Sequence, residues 1–250
     1  RPPARAQLQL KAVDAYLSAG QTAPARQALD AIPSQELTAT QREMMLLAQA
    51  DLALLTGRPQ DATRFLGRME VQSLPHDLKA RRLGTLASAQ RLANSPLDAA
   101  KTLSDLDRLL EQNDQRLVNQ VSLLSTLNTL PQAELQKLTR TGSWAMRGWA
   151  EIALLTRQAG ADPTQLETRY RQWQRGRSGH PALPELARAY SRNLSGGYAS
   201  GDRVTVMLPR SGRFAAAAKA VREGIEAAGR IDTGTVSYTH LAGDSQMTLP

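Results

Sequence analysis

Histidine, cysteine and acidic side chains supply much of the catalytic and metal-binding chemistry of proteins, and in this sequence they do not converge. His76, His180 and His240 are far apart, and each lies beside residues typical of loops. None has a second histidine or a carboxylate four residues further on along a predicted helix, the spacing that puts two metal ligands on one face. Cysteine is absent, which excludes thiolate catalysis and thiolate metal ligation within these residues. The pattern predicts no metal site.

Recognisable catalytic motifs are missing as well. The sequence has no phosphate-binding glycine loop with a lysine, no dinucleotide fingerprint, no Gly-x-Ser-x-Gly elbow and no Ser-x-x-Lys acylation pair with its companion motifs. Asp105 and Asp107 are two residues apart, which places them on different sides of a helix, and we expect both to face solvent. The sequence offers no catalytic constellation to name. We expect a protein that is not an enzyme and needs no cofactor.

The net charge is +8 and the isoelectric point is near 10.3, so a nucleic-acid partner has to be considered. Residues 131–203 hold most of the excess, with 11 basic and 6 acidic side chains. Their densest cluster is Arg169, Arg171, Arg175 and Arg177, and no run of five basic residues occurs. This distribution favours a solvated basic face over nucleic-acid binding, with an anionic partner surface as the alternative. No run of 18 apolar residues exists, so no membrane-spanning segment is predicted.

The elements that would position these side chains are helices that follow a repeat of 37 residues. Glycine or asparagine can end a helix in the left-handed conformation, proline is tolerated in the first turn of the next helix, and alanine lets two helices approach closely. The matching columns are Gly20, Gly57 and Asn94; Ala25, Ala62 and Ala99; Leu29, Leu66 and Leu103; and Pro59 and Pro96. The pattern predicts three stacked helix pairs of about tetratricopeptide length: 6–19 with 24–32, 40–56 with 60–70, and 78–92 with 97–111.

After Glu111 the repeat fails, although helical periodicity continues. Further helices are predicted over 115–129, 132–140, 144–159, 163–174 and 184–194. Trp144, Trp149 and Trp173 fall in this part, and such clustering predicts that they anchor its core, with carbohydrate stacking as the alternative. Residues 1–194 are therefore predicted to form a tetratricopeptide-like α-helical domain.

The chain changes character after Leu194. Residues 195–203 are rich in glycine and serine, which predicts a linker. Val204–Leu208 is predicted to be a short buried strand, 214–228 an amphipathic helix, and Thr235–Leu241 a second strand. Because a doubly wound domain covers both faces of a larger parallel sheet, we expect residues 204–250 to be the start of an α/β domain that is truncated here.

This last unit resembles the first βαβ unit of a periplasmic-binding-protein type I domain. The pattern there is an apolar strand, Leu-Pro-x-Ser-Gly, small residues, and Arg-Asp/Glu-Gly before the helix end. The matching positions are Leu208, Pro209, Ser211, Gly212, Arg222, Glu223 and Gly224. Two positions depart from it: Arg210 stands where an apolar residue is common, and Ala218 replaces a glycine. The resemblance implies a ligand or partner loop at Arg210, Ser211 and Gly212, beside a helix N-terminus that attracts anions.

Tetratricopeptide-like helices followed by such a unit resemble the LppC family of lipoproteins. The stretches RGWAEIALLTRQAG and YRQWQRGRSGHPALPEL are similar to that family's domain junction, where a tryptophan-rich helix pair ends in a His-Pro or Asn-Pro turn. The resemblance extends from Gln7 onward. It implies a lipoprotein on the periplasmic face of the Gram-negative outer membrane, anchored through an N-terminal lipidated cysteine that these residues do not include.

The resemblance also implies a role in cell-wall biogenesis and cell shape, as a regulator that binds and activates a class A (bifunctional) penicillin-binding protein. Peptidoglycan is a further expected partner, and nucleic acid is not. The sheet domain would contact the synthase, and the helical domain would serve as an arm. Three alternatives remain: a generic helical-repeat scaffold whose groove binds a peptide or protein, a small-ligand sensor acting through Pro209–Gly212 and the following helix N-terminus, and a murein hydrolase.

Overall fold

The computed structural model describes residues 2–33, 35, 37–160, 162–194 and 218–224. Within these ranges the chain forms helices and no strand, so the described fold is mainly α, as the sequence predicts. A short 3-10 turn covers Val71–Ser73. The α-helices are α1 (Pro2–Ser18), α2 (Thr22–Asp30), α3 (Ala39–Leu55), α4 (Pro59–Gly67), α5 (His76–Leu92), α6 (Pro96–Asp107), α7 (Asn113–Leu127), α8 (Gln132–Thr141), α9 (Trp144–Ala159), α10 (Pro163–Gly176) and α11 (Leu186–Leu194).

The chain divides into two compact units, Arg1–Leu194 and Ser195–Pro250. Helices α1 to α11 belong to the first unit. In the second unit, residues 218–224 are helical and lie inside the predicted helix 214–228. The predicted linker, both predicted strands and the loop Arg210–Gly212 lie outside the described residues.

The turns inside the three repeats share one conformation. Gly20 and Gly57 have φ angles of 68° and 71°, and Asn94 has a φ of 57°. At each turn the left-handed residue donates its N–H to the carbonyl three residues back, and the next N–H reaches the carbonyl five residues back. These paired bonds satisfy carbonyls that a helix end would otherwise leave free. Pro59 and Pro96 then stand in the first turns of α4 and α6, where the missing N–H costs no helical bond.

Packing between the helices follows the repeat. Helix α1 packs on α2, α3 on α4 and α5 on α6, and α3 also packs side by side with both α1 and α5. The repeated alanines are fully buried, and the repeated leucines are buried beside them: Ala25, Ala62, Ala99, Leu29, Leu66 and Leu103. The structure therefore contains the three predicted helix pairs, each of which buries its apolar face against a neighbour.

Several boundaries differ from the predicted ones. Helix α1 begins at Pro2, because proline is tolerated in the first helical turn. Helix α4 ends at Gly67, and the chain then forms the separate turn Val71–Ser73. Helix α6 ends at Asp107 rather than at Glu111, and the N–H groups of Leu109 and Leu110 both reach the carbonyl of Leu106.

Helices α7 to α11 continue the unit without the repeat. Helix α8 packs on α9, α9 on α10, and α11 on both α7 and α10. Their shared core contains Trp149, Leu123, Leu127, Ile152 and Tyr170, all fully buried. Trp149 therefore anchors this core as predicted. Trp144 does not, because 44% of its surface remains exposed.

Candidate functional site

An open groove runs across the first three repeats, where α1, α3 and α5 lie side by side. Its volume is about 550 Å³. Its lining combines acidic, basic and aliphatic side chains: Asp14, Leu17, Ser18, Asp51, Leu54, Leu55 and Arg81. We call this set of residues the groove.

Arg81, on α5, contacts both acidic residues of the groove, which lie on α1 and α3. Its guanidinium donates to both oxygens of Asp14 on α1, at 3.2 Å and 3.4 Å. It also approaches Oδ2 of Asp51 on α3 at 3.5 Å, a long contact for a hydrogen bond. The other oxygen of Asp51, Oδ1, accepts the hydroxyl proton of Thr85 at 2.8 Å. Burial raises the pKa of Asp51 above its ordinary value, and the bonds from Thr85 and Arg81 offset only part of that rise.

The repeat places these side chains. Asp14 and Asp51 are 37 residues apart, and so are Leu17 and Leu54. Equivalent positions of stacked repeats line up across neighbouring helices, so both pairs form short rows along the groove. The 37-residue interval between Asp14 and Asp51 is visible in the sequence, but it does not indicate a site, because acidic side chains on a helix surface usually face solvent.

A second cluster, the aromatic junction, consists of Trp144, Trp149, Trp173 and His180. The His180 ring lies 4.8 Å from Trp149, 5.0 Å from Trp173 and 5.3 Å from Trp144, measured between ring centroids. Nε2 of His180 lies 3.0 Å from the carbonyl of Ala145, and Nδ1 lies 3.2 Å from the amide nitrogen of Ala182. Nε2 donates and Nδ1 accepts in the neutral tautomer that satisfies both contacts. Burial lowers the pKa of His180, which favours that neutral form.

Gly148 on α9 leaves room for the ring of His180. A Cβ atom at this position would lie 2.3 Å from Nε2 of His180, so the helix surface has to lack a side chain there. Beside the ring, Glu151 accepts from Nε1 of Trp173 at 2.8 Å and pairs with Arg177. The tryptophan helix pair and the His-Pro turn noted in the sequence therefore form one packed unit.

A buried polar network also holds the loop between α10 and α11. The Asp107 side chain is only 1% exposed, which corrects the expectation that it faces solvent. It accepts hydrogen bonds from Arg116, Asn119 and Gln120. Gln120 also donates to the carbonyl of Pro181 and accepts from the N–H of Leu183. The network satisfies loop backbone that would otherwise be buried without partners.

The predicted arginine cluster is largely paired inside the molecule. Arg171 pairs with Glu167, Arg177 pairs with Glu151, and Arg169 donates to Gln158. Arg175 is exposed. Arg171 is exposed as well, whereas Arg169 and Arg177 are half-buried. The solvated face and its alternative, an anionic partner surface, both stay predictions.

The other candidate residues have separate positions. The loop Arg210–Gly212 and His240 lie outside the described residues. His76 stands at the start of α5, remote in sequence from the His180 junction. Among the residues that the structure describes, no group of three histidine, cysteine or acidic side chains could hold a metal ion. In the same ranges, no helix has both the length and the apolar character needed to cross a bilayer.

Comparison with known proteins gives one consistent family. The family model described as "LppC putative lipoprotein" matches residues 2–242. The penicillin-binding protein activator LpoA of Edwardsiella ictaluri is 27% identical over 225 residues, which cover 90% of this chain and 33% of that protein. The protein of the same name from Photobacterium profundum is 27% identical over 238 residues, covering 92% of this chain and 38% of its own length. The chain thus spans about a third of these relatives.

Solved structures show the same fold. Full-length LpoA from Haemophilus influenzae aligns with a TM-score of 0.65 at 16% identity, covering 93% of this chain and 43% of that one. The amino-terminal domain of Escherichia coli LpoA aligns with a TM-score of 0.62 at 22% identity, covering 73% of this chain and 82% of that domain. The helical unit described above therefore has the fold of an LpoA N-terminal domain.

Proposed function

This chain belongs to the LppC family of lipoproteins, and from that premise we propose that it activates a penicillin-binding protein by direct contact, without catalysing a reaction itself. The observation that carries the proposal is the family match over residues 2–242, together with relatives that are named penicillin-binding protein activators. Activation through contact requires a rigid, specific surface and no reacting groups. The stacked helix pairs present extended surface of that kind.

The partner we propose is a class A penicillin-binding protein, which polymerises glycan strands and crosslinks their peptides. We further propose that the protein is held by lipid at the periplasmic face of the outer membrane and reaches this partner through the peptidoglycan layer. Residues 1–194 would serve as the arm. Residues 204–250 would begin a periplasmic-binding-protein-like α/β domain after a linker over 195–203.

Within that second domain, we propose Arg210, Ser211 and Gly212 as a contact loop for a partner or a ligand. The support is the sequence pattern around it, in which Leu208, Pro209, Ser211 and Gly212 match the family motif. Arg210 gives the loop a positive charge. Replacing Arg210 with leucine, an apolar residue of the kind common there, tests whether that charge contributes to contact with the synthase.

The proposed function is tested with the complete gene product and a class A synthase from the same bacterium. The synthase is given lipid-linked peptidoglycan precursor, and the crosslinked fraction of the product is measured by chromatography of muropeptides. We expect the protein to raise the crosslinking rate in proportion to its concentration until the synthase is saturated. The protein alone should release no fragments from purified murein and should polymerise no precursor. Unchanged crosslinking with every class A synthase of that bacterium would contradict the proposal.

A further inference from the structure

The groove on α1, α3 and α5 has the charges and the spacing of a site for an extended polypeptide. Helices that pack side by side lie about 8–10 Å apart, and an extended chain advances about 3.3 Å per residue. One step from a groove position to its equivalent on the next helix therefore corresponds to about three residues of bound chain. Leu17 and Leu54, like Asp14 and Asp51, are separated by one such step.

The charge balance of the groove indicates which kind of partner would fit it. Its charged lining consists of two carboxylates, Asp14 and Asp51, and one guanidinium, Arg81. Arg81 gives its two shorter bonds to Asp14, so Oδ2 of Asp51 has only the contact of 3.5 Å. The Asp51 side chain is still 26% exposed, and it lines the groove. One further cation would balance the charge and give Asp51 a full partner.

The apolar edge of the groove restricts the partner further. Leu55 is half exposed, and it lies next to Leu54 at the end of α3. An aliphatic side chain of a bound segment can cover it and remove apolar surface from water. The groove is an open depression rather than an enclosed cavity, which suits a chain lying across it better than a small molecule. An anionic partner would meet two carboxylates and is disfavoured.

We propose that the groove binds an extended polypeptide segment in which a lysine or arginine contacts Asp51 and a neighbouring aliphatic residue covers Leu55. This inference does not depend on activation of a synthase. It identifies a second recognition surface, on the helical unit. The raised pKa of Asp51 is consistent with it, because the carboxylate is partly desolvated and lies near the negative charge of Asp14.

The test uses the full 250-residue chain and a phage-displayed library of random dodecapeptides. Enriched peptides are synthesised with a fluorescent label, and their affinity is measured by fluorescence anisotropy. We expect the enriched sequences to share a lysine or arginine beside an aliphatic residue. Exchange of that basic residue for norleucine should weaken binding at least about tenfold, which corresponds to about 1.4 kcal/mol.

Variants of the protein complete the test. Asp51→Asn keeps an acceptor for Thr85 and should weaken binding at least about tenfold. Asp105→Asn, which removes an exposed carboxylate on α6, should leave the affinity unchanged. Leu55→Ser alters only a half-exposed side chain and should weaken peptide binding severalfold. If Asp51→Asn loses its helical circular dichroism, the affinity of Leu55→Ser tests the proposal instead. Selection of acidic or uncharged peptides, no enrichment above background, or equal affinity for Asp51→Asn and the unchanged chain would each overturn the proposal.

Discussion

Replacing Gly148 with alanine should disrupt the aromatic junction through a single added methyl group. The new Cβ would lie 2.3 Å from Nε2 and 2.4 Å from Cδ2 of His180, far inside the distance at which nonbonded atoms make contact. Gly148 belongs to α9, whose backbone is fixed by its own hydrogen bonds, so the imidazole ring has to move. A displaced ring loses its contacts with the Ala145 carbonyl and the Ala182 amide.

The expected cost follows from those contacts. Each of the two hydrogen bonds contributes about 0.5–1.5 kcal/mol, and each close ring pair contributes a similar amount. Replacing glycine with alanine inside a helix by itself raises the free energy of unfolding by up to about 1 kcal/mol. We therefore expect the free energy of unfolding to fall by about 2–4 kcal/mol. For a domain of this size that corresponds to a decrease in Tm of roughly 5–15 °C.

Thermal unfolding followed by circular dichroism measures this change, and Gly84→Ala is the matched control. Gly84 lies within α5, where the nearest atom to an added Cβ is Leu106 Cδ2 at 4.0 Å. The control should therefore raise the stability by up to about 1 kcal/mol. The variant His180→Ala lacks the imidazole ring that the new Cβ would meet, so adding Gly148→Ala to it should change the free energy of unfolding little. Equal stability of Gly148→Ala and the unchanged chain would refute the packing argument.

Three further predictions concern the turns, the repeat core and the dependence on pH. Gly57→Ala should lower the free energy of unfolding by about 1–2 kcal/mol, because alanine is strained at positive φ. Asn94→Gly should change it by less than about 1 kcal/mol. Similar losses for both variants in urea titrations would be inconsistent with this. Ala62→Leu should overpack the contact between α3 and α4 and cost about 1–3 kcal/mol, and an unchanged urea midpoint would refute close packing there. Burial lowers the pKa of His180 in the folded chain below its ordinary value of 6.5. Below pH 6.5 the unfolded chain therefore binds more protons than the folded chain, so the free energy of unfolding should decrease as the pH falls, and it should decrease less in His180→Gln. Parallel pH profiles of the two proteins would contradict this.

The repeat could be predicted from the sequence because its residues have narrow physical roles. A helix that ends in a left-handed residue favours glycine or asparagine, and Gly20, Gly57 and Asn94 adopt that conformation. A fully buried alanine at each close helix contact recurs at the same interval. Helix positions after Glu111 were predictable from periodicity alone, within a few residues at each end.

Long-range contacts could not be predicted in the same way. Asp107 is buried because Arg116 and Gln120 of α7 pack on it. The same two side chains also bind the carbonyl of Pro181, which is far away along the chain. Exposure of Trp144 follows from its place at the start of α9, at the edge of the junction. The groove depends on three helices from three repeats, so its acidic row is recognised only after the helices are stacked.

The central claim, that this protein acts by direct contact with a class A penicillin-binding protein, is tested most directly by a binding titration. The complete gene product is labelled and titrated with the purified class A synthase of the same bacterium, and binding is followed by microscale thermophoresis. A monofunctional transpeptidase from that bacterium is the control. We expect saturable binding to the class A synthase at a fixed stoichiometry and no saturation with the control. Absence of saturable binding to any class A synthase, under conditions in which both proteins are folded, would contradict the account.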